Sequence, residues 1–299
     1  MNRGVAISNS NSADGVLLKE VKSRAHRVLD LFLARPAYPS VRSFLGNWLF
    51  WVALMTAAPP PYSTAAGEST AARLQRIYRE TRARFQASQS NSVEAAWQLG
   101  RACFDLADLA KRDSDRAALA EEGIAACRLA LARKYGSAPT HYYLAMNLGQ
   151  LARTKSIGAL KLVREMEPEF KQAIELDEKF DYAGPHRSLG LLYKDAPGWP
   201  TSIGSRSKAR LHLRRANDLS PDYPDNRLCL LEASFDWGET KGVLEQLSSL
   251  DEFLVIARKR FSGEEWELSW RDWDARAAKL KNKSRSAAEK TATPRGRNR

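Results

Sequence analysis

Cysteine and histidine have the widest chemical reach in this chain, so their spacing is the first test of what it does. Cys103, Cys127 and Cys229 show no C-x-x-C spacing and form an odd count. Neither a zinc site nor a dense disulfide framework can be read from them. Cys103 and Cys127 stand at facing positions of one predicted helix pair, where a pair of buried free thiols and a disulfide both remain open. His141 and His186 recur at one packing position of successive repeats, His212 stands alone on a second helix, and His26 precedes an apolar segment. A catalytic reading needs a nucleophile or paired acids held by a second group, or a metal set. No such constellation is visible, and there is no phosphate-loop or dinucleotide motif. The expectation is a non-enzymatic protein with no catalytic residues, no metal and no cofactor.

Two other groups of residues point to binding. The first would line a concave groove: Trp97, Arg101, Phe104, Tyr142, Met146, Gln150, Arg187, Leu191, Lys194, Leu228 and Glu232. Its mixture of aromatic, apolar and basic side chains suits an extended peptide or a small amphipathic acid. On that reading, alanine at Tyr142 and Arg187 weakens binding and leaves the chain folded. The second group lies on a rim of connecting loops. Thr154, Lys155, Ser156, Ile157 and Gly158 in one loop resemble Thr201, Ser202, Ile203, Gly204 and Ser205 in the next, which follows Pro197, Gly198, Trp199 and Pro200 and precedes Arg206 and Lys208. Such turns beside helix N-termini can hold an anion through backbone N–H groups; loops that only shield the solenoid edge are the plainer alternative.

The elements that must position these residues are helices. Ala, Leu, Arg and Glu are abundant and β-branched runs are few, which favours helix throughout. Self-similarity at a fixed period gives the architecture. His186, Leu189, Gly190 and Tyr193 occupy positions 4, 7, 8 and 11 of a tetratricopeptide helix pair, and Ala209, Leu213, Ala216 and Pro221 occupy positions 20, 24, 27 and 32. The same grammar appears in Ala96, Leu99, Gly100, Cys103, Gly123, Cys127 and Ala130, and again in His141, Leu144, Ala145, Leu148, Phe170 and Ala173. A degenerate fourth pair carries Leu230, Val243 and Leu247. Small residues are needed where two helix axes approach to about 8–10 Å. The expected fold class is therefore all-α, a tetratricopeptide-type helical-hairpin solenoid over residues 69–280, with repeats at about 93–250. Cys103 to Gly123, Leu148 to Met166 and Tyr193 to Ala209 span 20, 18 and 16 residues where an ordinary repeat spans nine. These intervals predict long loops between the first (A) and second (B) helix of each pair.

The ends complete the solenoid. A helix from about Ser69 to Ala87 presents Leu74, Tyr78 and Phe85 on one stripe. At the other end, Ser262 and Glu265 read as a capping box ahead of Trp266, Trp270, Trp273 and Ala277, which predicts a capping helix over 262–280. Of the net charge of +12, residues 276–299 supply +8 and residues 1–43 supply +4, so the repeats are near neutral. A nucleic-acid-binding face needs a basic surplus there, and that partner is not expected. Residues 281–299 read as a basic disordered tail. The uncharged run Phe44 to Ala58, within a 44–66 leader segment, is short for a span of about 20 residues and has the length of a signal-peptide core. Arg35 and Arg42 on its N-terminal side put the rest of the chain outside the cytoplasm. Cleaved signal or retained membrane anchor remain open, as does whether the basic extension 1–43 is native. The expected location is periplasmic or membrane-anchored, facing away from the cytoplasm.

Residues 93–250 resemble two families of tetratricopeptide proteins. Gly184-Pro185, Ser188-Leu189-Gly190-Leu191-Leu192-Tyr193, Pro197, Lys208-Ala209 and Pro221 through Asn226-Arg227 are similar to the T component of tripartite ATP-independent periplasmic transporters. That resemblance implies a periplasmic subunit that associates with itself and with a solute-binding protein. Arg101-Ala102-Cys103-Phe104-Asp105-Leu106 and the long A-to-B connections resemble the regulator of microtubule dynamics family, which implies only a scaffolding repeat domain. The two functional expectations are an interaction scaffold of the cell envelope that binds a protein or peptide partner, and an accessory subunit of a solute transport system that self-associates as a homo-oligomer.

Overall fold

The computed structural model describes residues 68–88, 91–133 and 136–292. The apolar run 44–58, His26 and the extension 1–43 lie outside the described residues, and no helix among those described is long and apolar enough to cross a membrane. The chain forms α1 (Thr70–Ala87), α2 (Val93–Asp108), α3 (Asp113–Ala132), α4 (Ala138–Arg153), α5 (Ala159–Asp177), α6 (Phe180–Asp195), α7 (Arg206–Leu219), α8 (Pro224–Asp236), α9 (Thr240–Leu247), α10 (Leu250–Arg260), a single 3₁₀ turn (Glu264–Trp266) and α11 (Glu267–Ala292). Each helix packs on the next in sequence order. The result is an all-α helical solenoid with no strand among the described residues; one isolated bridge joins Gly198 and Gly204.

Serine sets four of the helix starts. Ser69, Ser92, Ser137 and Ser205 each accept the backbone N–H of the residue three positions on, satisfying one of the donors a helix N-terminus leaves open. Inside the pairs, small residues mark the close approaches. A Cβ added at Gly100 would lie 2.6 Å from Cys127 Sγ, and one at Gly190 would lie 2.8 Å from Leu213 Cγ. Ala145, Ala173, Ala209 and Ala216 are fully buried. Two asparagines cross the pair boundaries. Asn147 Nδ2 donates to the carbonyls of Gly100 and Tyr143 at 2.8 Å. Asn226 Nδ2 donates to those of Tyr182, Ala216 and Ser220 at 3.0, 2.9 and 3.2 Å.

The extra residues between A and B helices are spent differently from expectation. The connections are residues 109–112, 154–158, 196–205 and 237–239, so only the third is long. Most of the added length extends the helices: α3 has 20 residues and α5 has 19. Spacing alone does not separate a longer helix from a longer loop, and a helical residue satisfies its own backbone where a loop residue has to find partners.

The C-terminal cap forms, with different boundaries. Trp266, Trp270, Trp273 and Ala277 are buried, and Trp270 Nε1 donates to Phe261 O at 2.5 Å. The expected Ser262 cap is absent: Gly263, at φ 108°, precedes the 3₁₀ turn, and no side chain caps it. The helix also continues past 280 to Ala292, so the first part of the expected disordered tail is helical. Leu280 and Ser284 are buried, which carries the buried stripe past the expected end.

Candidate functional site

The face of the A helices α2, α4, α6 and α8 gathers an unusual number of buried charges. Arg101 pairs with Asp105 at 3.6 Å. Asp108 accepts from Gln150 Nε2 at 3.3 Å and Arg153 Nη1 at 3.0 Å. Asp181 lies 3.6 Å from Arg187 Nη2 and accepts from Tyr142 OH at 3.3 Å. Arg187 Nε meets Asp225 at 3.0 Å, while Nη1 donates to Asn226 Oδ1 at 2.9 Å, and the guanidinium lies 5.2 Å from the Tyr223 ring centroid. Asp225 also pairs with Arg276 of α11 at 2.7 Å, and Arg276 reaches Glu232 at 2.7 Å and Asp272 at 3.1 Å. A chain of opposite charges thus runs from the first pair to the cap.

Burial governs the protonation of this chain of groups, because a low-dielectric interior disfavours the charged form. It lifts Asp105 to about 7 in spite of Arg101, and Asp108 to about 6 in spite of Arg153. Asp181 is raised for the same reason, with Arg187 and Arg101 opposing. Burial disfavours the Arg276 cation too, yet Glu232 and Asp225 beside it hold it protonated well above the usual guanidinium range.

A backbone departure sits at the centre of this face. Asp181, Tyr182 and Ala183 are consecutive left-handed residues at φ 51°, 56° and 59°. For residues with a Cβ this costs about 1–2 kcal/mol each, so neighbours must hold it. Arg187 Nη1 and Asn226 Nδ2 both donate to Tyr182 O, at 3.2 and 3.0 Å. The Tyr182 ring stacks on Tyr223 with centroids 4.5 Å apart. No sequence signal marks this turn, since none of the three residues is glycine or asparagine.

The expected groove residues therefore divide. Tyr142, Met146, Gln150, Arg187 and Leu191 are buried, with Arg187 only 1% exposed. Trp97 is half-buried, stacked on Tyr143 with centroids 6.0 Å apart, and Arg101 and Lys194 are at the margin of burial. The reason is geometric: these helix positions face the next A helix, the left-handed turn and the Tyr223 cluster, so they build the interior. The expectation that alanine at Tyr142 and Arg187 leaves the fold intact is corrected accordingly.

The rim residues divide too. Arg164 Nη2 donates to Thr201 O at 2.8 Å, tying the third connection to α5, and Arg206 Nη2 donates to Trp237 O at 3.1 Å, tying the start of α7 to the fourth connection. Ser156, Trp199, Arg206 and Lys208 are exposed and Lys155 is half-buried. Ser202 is buried and does not face a ligand. The two similar loop sequences adopt different geometry: Ile157 is 86% exposed, whereas Ile203 packs against the core.

The titratable residues behave as packing elements in part. His141 Nδ1 lies 2.7 Å from Glu169 Oε2. His212 is not alone, as its Nδ1 lies 2.9 Å from His186 Nδ1. Cys103 and Cys127 are buried and free, and burial pushes the Cys127 thiol up to about 12. Among the described residues no group of His, Cys, Asp and Glu is arranged to hold a metal.

A family model described as Regulator of microtubule dynamics protein 1-3 matches residues 63–190. The match covers α1 through the first part of α6, and it agrees with one of the two resemblances read from the sequence; the likeness to the transporter T component gains nothing from it. No curated protein matches the chain.

Proposed function

We propose that this chain is a non-enzymatic protein-interaction scaffold of the tetratricopeptide type, reading a protein or peptide partner on the A-helix face and held at or exported across a membrane through residues 44–58. The observation that carries the reading is the left-handed turn Asp181–Ala183 in the middle of that face. Strained backbone persists where surrounding structure over-determines it, and such strain clusters at binding sites and switch regions. Here it sets Asp181 between Tyr142 and Arg187, with Trp97, Arg101 and Lys194 as the expected groove residues that are only partly buried. The match to the regulator of microtubule dynamics family, which spans the first two pairs and the start of the third, agrees with a scaffolding role there. The transport-subunit reading draws on the rim loops and on the resemblance to the T component; of the three long connections expected, one is present.

Site-specific photo-cross-linking tests the proposal. A p-benzoylphenylalanine at Trp97 should capture one discrete partner in cells, and the same group at Leu211, 66% exposed on α7, should not. Identical products from both positions would refute the assignment of the A-helix face.

A further inference from the structure

We propose that the solenoid edge formed by residues 154–164 and 197–208 docks on the surface of an anionic phospholipid bilayer, with Ile157 and Trp199 entering the headgroup layer. This is independent of the partner assigned to the A-helix face. Ile157 and Trp199 are 86% and 89% exposed, against 66% for the next most exposed large apolar residue described. They stand on adjacent connections, and the Arg164 bond to Thr201 O ties the second connection to the helix that follows the first. The loop under Trp199 is internally fixed. Gly204 N donates to Pro197 O at 2.8 Å, Ser205 N to Tyr193 O at 2.8 Å, and Thr201 N to Gly198 O at 3.1 Å. A Cβ on Gly204 would lie 2.0 Å from Ala196 O, so the chain closes there only with glycine. The tryptophan is therefore presented on an ordered support, which removes much of the entropy cost of using it as an anchor.

Charge selects the partner. The two segments contain Lys155, Lys161, Arg164, Arg206 and Lys208 and not one Asp or Glu, although the repeats as a whole are near neutral; Arg206 is paired with Glu239 at 3.1 Å, which leaves the other four cations to carry the surplus. Basic side chains around protruding Ile and Trp match an anionic membrane interface, where tryptophan settles at headgroup depth. A bilayer accepts two protruding side chains without a matching cavity, whereas a folded partner has to supply two.

The test is partition of the full-length chain onto phosphatidylglycerol–phosphatidylcholine vesicles and onto phosphatidylcholine alone. Residues 44–58 supply a background insensitive to lipid charge and the basic segments 1–43 and 276–299 one that is sensitive to it, both common to every variant, so the readout is the part of the anionic increment lost on substitution. Lys155→Gln with Lys161→Gln should lower that increment about 25-fold, at about fivefold per cation. Ile157→Ser with Trp199→Ser should lower it at least tenfold, and being at exposed positions it should leave the circular dichroism melt unchanged. Brominated lipid should quench a fluorescence component that Trp199→Phe removes. An unchanged anionic increment in both double variants, or equal quenching in Trp199→Phe, overturns the proposal. So does loss-free vesicle binding combined with Trp199-dependent binding of poly-glutamate, which would assign the edge to an acidic protein.

Discussion

Replacing Gly190 by alanine tests the packing rule on which the whole solenoid rests. In a helix interior the change removes the conformational freedom of glycine and is worth about 1 kcal/mol in favour of folding. At Gly190 the new methyl would lie 2.8 Å from Leu213 Cγ, 3.0 Å from Leu213 Cδ2 and 3.0 Å from the Leu213 backbone nitrogen. Carbon atoms at rest sit about 3.5–4.0 Å apart, and because one obstructing atom is main chain, a rotamer change at Leu213 does not clear the space. Overpacking of this kind costs about 1–3 kcal/mol. The helix must move outward, which also disturbs Ala209 and Ala216 on the same face of α7. The expected net is a loss of up to about 2 kcal/mol in equilibrium urea unfolding. Gly242 supplies the control: it lies within α9 with nothing within 4 Å of its added Cβ, so alanine there should be neutral or stabilise by about 0.5–1 kcal/mol. In a Leu213→Ala background the Gly190→Ala cost should shrink, giving a coupling of at least about 1 kcal/mol. If Gly190→Ala stabilises the chain as Gly242→Ala does, close helix approach at this position is not what holds α6 to α7.

Other outcomes follow from the buried charges. Arg187→Met should lower unfolding stability by about 3–5 kcal/mol, because it leaves Asp181 buried without its guanidinium; a variant as stable as the wild type in urea contradicts the inward placement of Arg187. Asp105 is held near 7 when folded and has an ordinary carboxylate pKa when unfolded, so the folded chain keeps a proton that the unfolded chain releases. Its contribution is fully present below about pH 4 and is lost as pH rises through 7. Asp105→Asn should therefore retain about 2 kcal/mol that the wild type loses between pH 5 and 8, read from urea curves at the two values. His212 acts in the opposite sense: burial, with His186 beside it, depresses it to about 4, so its contribution is present above about pH 6.5 and lost as pH falls toward 4. His212→Gln should flatten that acid loss by about 1–2 kcal/mol; an unchanged slope between pH 6.5 and 4 would remove the His186–His212 contact from the account of acid stability.

The parts of the fold that were legible in the sequence are those where one residue type has one physical use. Gly100, Gly190, Ala173 and Ala216 marked helix contacts because only a small side chain fits, and the structure has them there. The Trp266, Trp270, Trp273 stripe marked a covering helix because large apolar side chains recurring on one helix face have to be buried, and they are. The interval from Cys103 to Gly123 was misread as a loop because a lengthened helix leaves the same spacing. Arg187 was read as a groove residue from its helix position. Only the three-dimensional arrival of Asp181, Asp225 and Asn226 makes it interior. The turn at Asp181–Ala183 was invisible for a related reason, as it is imposed by Arg187, Asn226 and Tyr223 from later in the chain rather than by its own residues.

Asn147 and Asn226 have a consequence for how the pairs are ordered. Each threads one amide between carbonyl-bearing or glycine-lined surfaces of two neighbouring helices. Shifting either joint by one residue would strand that amide in an apolar interior at a cost of about 1–3 kcal/mol. The two joints are keyed differently, one to Gly100 and Gly123 and the other to Tyr182 and Ser220. The hairpins are thus not interchangeable bricks: transposing the second and third would mismatch both locks, and a consensus array built from any single pair would lack the keys that fix its phase.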